Sequence, residues 1–477
     1  MKRISALAAL CVCIATVNIG LSNRPAEAAL STAAAPPASA QLDMLPAATL
    51  LNSDGTLNMQ TGVSGTVDLA GWRVSLDPQR GPVFAPDAPT PGGWSALGNG
   101  VDSFVVALAV SGNDVYVVGN FTQICGNAAC NSGNTTVNRV AKWNGSAWSA
   151  LGNGVDSQVN DLAVSGSDVY VGGGFTEICG NAACNSGNTT VNRVAKWNGS
   201  AWSALGSGVN GNVFALAVSG SDVYVGGGFT QVCGFQCLIG NNTVNYVARW
   251  NGSAWYTLGN GVNDAVFALA VSGSDVYAGG RFIQICGDYL CSSGNTTVNH
   301  VAHWNGSAWS ALGNGVNSYV NGLAVSGSDV YVGGEFTEIC FIAACNSGNT
   351  AHRVAKWNGS AWSALGNGVD NHVLALAVSG SDVYVGGAFT QICGNYLCSV
   401  GNTTANRVAK WNGSAWSALG NGVDNYVLAL AVSGSDVYVG GNFTQVCGNA
   451  ACNSGNSAMN HVAKYGSSNL FLPLIMR

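Results

Sequence analysis

The chain has 477 residues, of which 66 are glycine and only 8% are charged, with a formal net charge of −6 and a mean hydropathy of +0.23. Such a composition disfavours a disordered chain and a coiled coil, because the apolar fraction is high and charged residues are few. It also argues against nucleic acid or anionic membranes as partners, since both are bound through basic surfaces. It fits many short strands that are covered on both faces and joined by glycine-rich turns.

Residues 1–28 resemble an export signal, with Lys2 and Arg3 before an apolar run at residues 4–17 and an Ala26-Glu27-Ala28 cleavage site. We expect a mature chain that begins near Ala29, with 14 basic and 22 acidic residues and a net charge of −8. The alternative is an uncleaved membrane anchor, for which the run is short.

Residues 29–40 are mostly Ala, Pro, Ser and Thr, which predicts a flexible spacer. Residues 41–93 are expected to form a small β extension on the first or last blade, with a strand at residues 71–76 and a proline-rich linker at its end.

The rest of the chain is a repeat. A tryptophan that opens the phrase Trp-Ser-Ala-Leu-Gly, or a variant of it, returns every 53 or 54 residues, at Trp94, Trp148, Trp202, Trp255, Trp309, Trp362 and Trp416. A period of about 50 residues is typical of propellers and other repeat arrays.

Each copy carries four strand-like pieces, which we label A to D, at residues 212–219, 222–229, 245–250 and 254–259 in the third copy. Ser-Gly-Ser-Asp joins A to B, and Asn-Gly-Ser-Ala joins C to D; both are typical of tight hairpins. Strands A and B read as apolar on both faces, as expected for sheets sandwiched between neighbouring blades.

The last copy has no D strand, whereas an unmatched D strand stands at residues 94–98. The sequence therefore predicts an all-β fold: a seven-bladed β-propeller of four-stranded antiparallel blades at residues 94–468. An N-terminal strand joins the last blade and closes the ring, which removes both free sheet edges.

Two tryptophans five residues apart, such as Trp143 and Trp148, flank each C to D hairpin. They fall on one face of the hairpin, so we expect them to touch. Repetition in successive blades favours packing; carbohydrate stacking is the alternative.

Strand B ends in Tyr-Val-Gly-Gly, as at residues 170–173, and is followed by Val-Ala-Lys-Trp and the second tryptophan. This pattern, repeated over residues 94–465, resembles the kelch-type propeller blade. It is also similar to exported bacterial proteins with Trp-Asn-Gly repeats. The resemblance implies a β-propeller.

Fourteen of the sixteen cysteines form close pairs after strand B, one pair per copy. In an exported chain without recurring His or acidic neighbours, local disulfides are favoured over zinc. The predicted bridges join Cys125 to Cys130, Cys179 to Cys184, Cys233 to Cys237, Cys286 to Cys291, Cys340 to Cys345, Cys393 to Cys398 and Cys447 to Cys452.

The near-identical copies differ mainly in three places, before strand A, after the double glycine, and in the cysteine loops. In an antiparallel blade all three emerge on one rim, so we expect a ligand-binding rim there; neutral drift in exposed loops is the alternative. The predicted rim residues are Phe104, Gln158, Asn212, Tyr319, His372, Tyr426, Arg281, Glu335, Phe235, Tyr289 and Tyr396. Arg281 and Glu335 could alternatively pair with each other across the rim.

The sequence offers no catalytic constellation of acid, base and nucleophile, and we predict no catalytic residue, no metal and no cofactor. His300 and His303 are expected to face opposite ways along strand C and so not to chelate one metal. The Asp114-type residue reads as a hairpin residue, with calcium binding as the alternative.

We therefore expect a binding or adhesion module that is secreted or associated with the cell envelope of a bacterium. Its expected partner is an extracellular protein or a glycan, with no role for nucleic acid. We expect no membrane span after signal removal, and a monomeric state. The alternatives are an enzyme acting on a polysaccharide or small molecule at the channel mouth, and a structural surface-layer component. The apolar tail at residues 469–477 reads either as an envelope-protein tail or as an edge segment of the last blade.

Overall fold

The computed structural model describes strands at residues 45–46, 67–68, 72–77 and 81–86, and residues 93–466 except 235, 236, 238 and 239. The predicted signal peptide, the spacer and the C-terminal tail lie outside the described residues. Two units are distinguished, and the propeller unit spans Pro91–Gly466.

In the N-terminal unit, Leu45–Pro46 pairs in parallel with Val67–Asp68, and Trp72–Asp77 pairs antiparallel with Gly81–Pro86. The strand predicted over residues 71–76 is present as Trp72–Asp77 in the antiparallel pair.

The propeller consists of seven four-stranded antiparallel sheets, each in the order A-B-C-D. Strand A spans Val105–Ser111, Val159–Ser165, Val213–Ser219, Val266–Ser272, Val320–Ser326, Val373–Ser379 and Val427–Ser433 in blades 1 to 7. Strand B spans Asp114–Gly119, Asp168–Gly173, Asp222–Gly227, Asp275–Gly280, Asp329–Gly334, Asp382–Gly387 and Asp436–Gly441.

Strand C spans Val140–Trp143, Val194–Trp197, Val247–Trp250, Val301–Trp304, Val354–Trp357, Val408–Trp411 and Val462–Tyr465. Strand D spans Trp148–Ala150, Trp202–Ala204, Trp255–Thr257, Trp309–Ala311, Trp362–Ala364 and Trp416–Ala418 in blades 1 to 6, and Trp94–Ala96 in blade 7.

Ring closure follows the prediction. Trp94–Ala96 pairs antiparallel with strand C of blade 7, with Trp94 opposite Tyr465 and Ala96 opposite Ala463. The seven-bladed all-β propeller and its closure by an N-terminal strand are confirmed.

Neighbouring A strands lie against one another around the central axis. Each A strand carries a β-bulge near its start: in blade 2, Val159 pairs with Gly173 and Asp161 with Gly172, which leaves Asn160 unpaired. The bulge bends the strand where it enters the channel.

The double glycine of strand B is a packing requirement. A Cβ on Gly172 would lie 2.4 Å from Cγ1 of Val213 in blade 3, and a Cβ on Gly173 would lie 2.2 Å from the carbonyl oxygen of Gln158. Only glycine permits such close approach within and between blades. The space between blades is filled by buried valines and by a phenylalanine in each blade, such as Phe175, that is fully buried.

The tryptophan pairs join the blades. Trp143 and Trp148 lie opposite each other with ring centroids 5.5 Å apart, which confirms their predicted contact. Gly98 of the preceding blade lies beneath both rings, where a Cβ would approach Trp143 to 3.0 Å. The pair is half-buried and its contacts are those of inter-blade packing.

The connection between strands B and C, expected only as a long loop, contains two further short strands in every blade. The first strands are Gln123–Ile124, Glu177–Ile178, Gln231–Val232, Gln284–Ile285, Glu338–Cys340, Gln391–Ile392 and Gln445–Val446. Their partners are Thr135–Thr136, Thr189–Thr190, Asn242–Thr243, Thr296–Thr297, Gly348–Thr350, Thr403–Thr404 and Ser457–Ala458. We call this unit the cysteine hairpin.

All seven predicted disulfides are formed, each within its own cysteine hairpin. Disulfides persist in oxidising surroundings, so the protein fits an extracellular or similarly oxidising environment. Within the described segments, no helix is long and apolar enough to cross a membrane.

Candidate functional site

The three groups of variable positions meet on one rim of the propeller, which we call the variable rim. The residue before strand A is hydrogen-bonded to the residue after strand B: Glu335 N donates to Tyr319 O at 2.8 Å, and Asn442 N donates to Tyr426 O at 2.9 Å. The cysteine hairpin joins the same rim, since Cys125 N donates to Gly100 O in the connection that leads to strand A.

Most predicted rim side chains reach solvent there. Gln158, Asn212, Tyr319, Tyr426, Arg281, Tyr289 and Tyr396 are exposed, whereas Phe104, His372 and Glu335 are partly buried. Phe235 lies outside the described residues. The rim therefore presents both aromatic and polar side chains.

Arg281 and Glu335 do not pair with each other, so the suggested ion pair between them is wrong. Arg281 instead donates from Nε and Nη2 to the two carboxylate oxygens of Asp264 in its own blade, both at 2.8 Å. Burial raises the pKa of Asp264, but the hydrogen bonds from Arg281 and from the Ala265 N–H outweigh it and hold that pKa below its ordinary value. Glu335 lies 3.9 Å from Nδ1 of His372 in the next blade. Asp264 is closer to Arg281 along the chain than Glu335 is, and its two carboxylate oxygens accept the two parallel N–H groups of the guanidinium.

A further variable column lies just before strand C, and comparison of the copies could have revealed it. It consists of Arg139, Arg193, Tyr246, His300, Arg353, Arg407 and His461. The four arginines each donate from Nη1 to the carbonyl oxygen of the residue after strand B, as Arg407 does to Ala388. His300 and His461 bond through Nδ1 to the carbonyls of Gly280 and Gly441, and burial lowers the pKa of both histidines.

This column supports the exposed rim tyrosines across blade boundaries. The guanidinium of Arg407 lies 5.3 Å from the ring centroid of Tyr426 in the next blade. His300 and Tyr319 are related in the same way, with ring centroids 5.6 Å apart. Tyr319 in turn meets Phe267 at the channel at 6.3 Å. These contacts hold the two tyrosine rings in place, and both side chains remain exposed to solvent.

The tips of three consecutive cysteine hairpins expose apolar side chains. Blades 4, 5 and 6 present Tyr289 and Leu290, Phe341 and Ile342, and Tyr396 and Leu397, with 48% to 68% of each side chain exposed. In blades 1, 2 and 7 the same stretch between the two cysteines reads Gly-Asn-Ala-Ala and carries no large apolar side chain.

The preceding blade fixes the backbone of these tips. Asn245 Nδ2 donates to Tyr289 O at 3.1 Å, and Asn299 Nδ2 donates to Ala343 O at 2.9 Å. In blade 5 a histidine replaces the asparagine, and His352 Nε2 donates to Tyr396 O at 2.6 Å. The exposed apolar pairs are thus carried by a rigid frame.

The central channel holds polar groups that the sequence reading missed, because it treated strand A as apolar throughout. A cavity of about 310 Å³ is lined by residues of all seven A strands. Asn160, Asp161 and Asn321 are its only residues with polar side chains among those described. The signal was present in the sequence, since these positions carry Val, Phe, Leu, Ala or Gly in the other copies.

Asp161 accepts hydrogen bonds from the backbone N–H of Leu162 at 2.8 Å and from that of Leu216 in blade 3 at 2.6 Å. Burial raises the pKa of Asp161 to about 7, and the two backbone hydrogen bonds only partly offset that rise. The carboxyl group therefore changes charge near neutral pH.

On the opposite rim, the Asp114-type carboxylates are paired with basic residues of strand C. Lys142 lies 3.0 Å from Asp114, and the other pairs are Lys196 with Asp168, Arg249 with Asp222, His303 with Asp275, Lys356 with Asp329, Lys410 with Asp382 and Lys464 with Asp436. A paired role in the hairpin accounts for these residues without calcium.

His300 and His303 have separate partners, Gly280 O and Asp275, as their expected opposite orientation requires. In the part of the chain that the structure describes, no three His, Cys, Asp or Glu side chains gather into a possible metal site.

No family model matches the sequence, and no curated protein matches it either. Among solved structures, the computationally designed Ika8 protein is similar, with 16% identity, a TM-score of 0.42, and coverage of 77% of this chain and 97% of that one. YCF48 from Cyanidioschyzon merolae shows 12% identity and a TM-score of 0.43 over 78% of this chain and 98% of its own. The WD40 β-propeller domain of Doa1 shows 12% identity and a TM-score of 0.42 over 74% and 94%. The assignment of seven blades rests on the strand pairing of this chain itself.

Proposed function

We propose that this protein is an exported, non-enzymatic binding or adhesion module that recognises a protein or a glycan through the variable rim. A seven-bladed propeller is consistent with a binding module, because it offers a rigid scaffold with loops gathered at each rim. The observation that carries the proposal is the concentration of exposed blade-to-blade differences on one rim, where they place aromatic side chains in solvent.

Neutral drift would distribute differences over all exposed loops. The hairpins of the opposite rim keep almost the same sequence from blade to blade, with Asn144-type residues accepting the same backbone hydrogen bonds. Selection for a partner at the variable rim explains this contrast.

The hairpin tips of blades 4 to 6 favour a protein over a glycan. Leu290, Ile342 and Leu397 expose aliphatic surface beside aromatic rings. Glycans stack on aromatic faces but gain little from aliphatic side chains, whereas protein interfaces bury both. Neighbouring apolar tips on a rigid frame are typical of an interaction surface.

The proposal includes export through residues 1–28, a secreted or cell-envelope location in a bacterium, and a monomeric state. Its domains are a spacer at residues 29–40, a β extension and linker at 41–93, and a propeller at 94–468. It also includes the kelch-type relationship suggested by the double glycine and the paired tryptophans. N-terminal sequencing of the secreted protein tests the first point; a mature chain that retains residues 1–28 would contradict it.

The binding test compares three forms of the purified protein on a glycan array and on a panel of extracellular proteins. The rim variant carries Phe104→Ala, Tyr319→Ala, His372→Ala and Tyr426→Ala. The matched control carries Ser146→Ala, Ser307→Ala, Ser360→Ala and Ser414→Ala on the opposite rim, where each serine is exposed.

We expect the wild type and the control to bind the same ligand, and the rim variant to lose that ligand while keeping its thermal unfolding transition. Loss of about tenfold or more in affinity is expected, because aromatic contacts dominate such surfaces. Binding that survives in the rim variant overturns the proposal, and a glycan hit without a protein hit overturns the preference for a protein.

A further inference from the structure

The central channel is a cavity of the size that small ligands occupy. At about 310 Å³ it holds about ten water-sized volumes of about 30 Å³ each, and it falls within the range of ligand pockets. Its walls come from all seven A strands, so the protein backbone around it is rigid.

One carboxylate breaks the symmetry of this cavity. Asp161 pairs with Gly172 in the register of its blade, and the residues at the same register position elsewhere are Ala107, Ala215, Ala268, Gly322, Ala375 and Ala429. Alanine therefore satisfies the fold at this position in five blades. A charged group that the fold does not need, placed where burial penalises it, points to a ligand.

A second polar group, the side-chain amide of Asn321, has no protein acceptor for its nitrogen. By contrast, Asn160 of blade 2 donates from Nδ2 to Val213 O in the next blade at 2.8 Å. Asn321 occupies the same bulge position in blade 5, yet its Nδ2 is buried without an acceptor in the protein. A buried donor of this kind favours an acceptor oxygen on a ligand.

The other side chains that line the cavity are apolar. Phe214 and Phe267 meet edge to face with ring centroids 5.8 Å apart, and Leu374, Leu428 and Val106 line the rest. Phe214 lies two residues from Leu216, whose N–H binds Asp161, so an aromatic residue and the carboxylate belong to the same part of the wall. Aromatic rings beside a carboxylate suit an organic cation.

We propose that the channel binds a small primary amine whose ammonium group meets Asp161, whose apolar body packs on Phe214 and Phe267, and whose carbonyl oxygen accepts from Asn321. The cavity limits such a ligand to about ten non-hydrogen atoms, at one atom per water-sized volume. This site is independent of the macromolecular partner proposed for the rim.

L-leucinamide, which has the ammonium, the branched alkyl chain and the carbonyl, is the probe for isothermal titration calorimetry. Two matched compounds each lack one feature: 4-methylpentanamide lacks the ammonium and 3-methylbutylamine lacks the carbonyl. We expect wild-type protein to bind L-leucinamide most tightly and 4-methylpentanamide about thirtyfold more weakly, as for loss of a buried charge contact.

The chain itself supplies the control variants. Asp161→Ala introduces the residue that five other blades carry, and Asn321→Leu introduces the residue of blades 6 and 7, so both are expected to fold. Asp161→Ala should abolish the preference for L-leucinamide over 4-methylpentanamide. Asn321→Leu should weaken L-leucinamide while leaving 3-methylbutylamine unchanged.

The affinity for 3-methylbutylamine, whose ammonium group stays charged over this range, should also rise with pH as Asp161 ionises through about pH 7, and this rise should vanish in Asp161→Ala. No binding of either amine at millimolar concentration overturns the proposal. Equal binding by wild type and Asp161→Ala also overturns it, and if that variant fails to fold, an Asn321→Leu protein that binds both amines as wild type does overturns it.

Discussion

The indole Nε1 of Trp148 in blade 1 donates a 2.7 Å hydrogen bond to the carbonyl oxygen of Leu97, which follows strand D of blade 7. The same bond recurs at every blade boundary, from Trp202 to Leu151 around to Trp94 and Leu419, with distances of 2.6 to 3.3 Å. The repeated phrase thus encodes both the hairpin and the link to the neighbouring blade.

Replacing Trp148 with Phe should destabilise the propeller by about 1 kcal/mol or more, because Leu97 O loses its donor while most ring packing stays. Trp143→Tyr is the matched control, since blade 7 carries Tyr465 at that position and Trp143 makes no such bond. Urea unfolding of the two variants measures the difference. Equal stabilities would show that the tryptophan acts through packing alone.

Loss of the Trp94 side chain should destabilise the propeller more than loss of the equivalent tryptophan in another blade. Trp94 is fully buried and belongs to the strand that closes the ring, whereas Trp416 is partly exposed. Trp94→Ala should therefore cost about 3–5 kcal/mol, as for a buried tryptophan, and Trp416→Ala less. Differential scanning calorimetry of both variants checks this order; the reverse order would contradict the importance of closure.

The disulfides should stabilise the hairpins more than the propeller. The Cys179–Cys184 bridge closes a ring of only a few residues, so replacing both cysteines with serine should cost about 2 kcal/mol on the chain-entropy model. Hydrogen exchange should accelerate in residues 177–190 and remain slow in strand A of the same blade. Faster exchange throughout blade 2 would mean that the bridge supports the core.

Asp161 should make the protein less stable as pH rises. Its folded-state pKa of about 7 exceeds its ordinary value of 3.8, so the folded state binds the proton more tightly than the unfolded state does. The contribution of Asp161 to the free energy of unfolding is therefore greatest below about pH 4, and it is lost as pH rises through about 7. The full loss is up to about 4 kcal/mol.

Urea unfolding of wild type and Asp161→Ala at about pH 5 and about pH 8 isolates this contribution. The alanine variant should gain stability relative to wild type at the higher pH and much less at the lower one. An identical pH dependence in both proteins would show that the Asp161 carboxyl titrates near its ordinary value.

The features that repeat in every blade could be predicted from the sequence. The spacing of the tryptophans gave the blade number, the unmatched D strand at residues 94–98 gave the closure, and the close cysteine pairs gave the disulfides. The blade number and the closure follow from counting strands over all seven copies, and the disulfides follow from cysteines a few residues apart, so a single sequence displays each of them. The two short strands of each cysteine hairpin were not predicted, because strands of two or three residues leave no periodic pattern.

The features that break the symmetry needed the tertiary structure. Asp161 reaches the N–H of Leu216, 55 residues away, only because consecutive A strands lie side by side around the channel. Arg281 pairs with Asp264 and not with Glu335, because the D to A connection lies beside the end of strand B in the same blade. The seven-bladed ring was predictable from the sequence, since each blade repeats the same hairpin, glycine and tryptophan motifs. Which of the few differing side chains meet depends on the folded ring, because their contacts join residues that lie far apart along the chain.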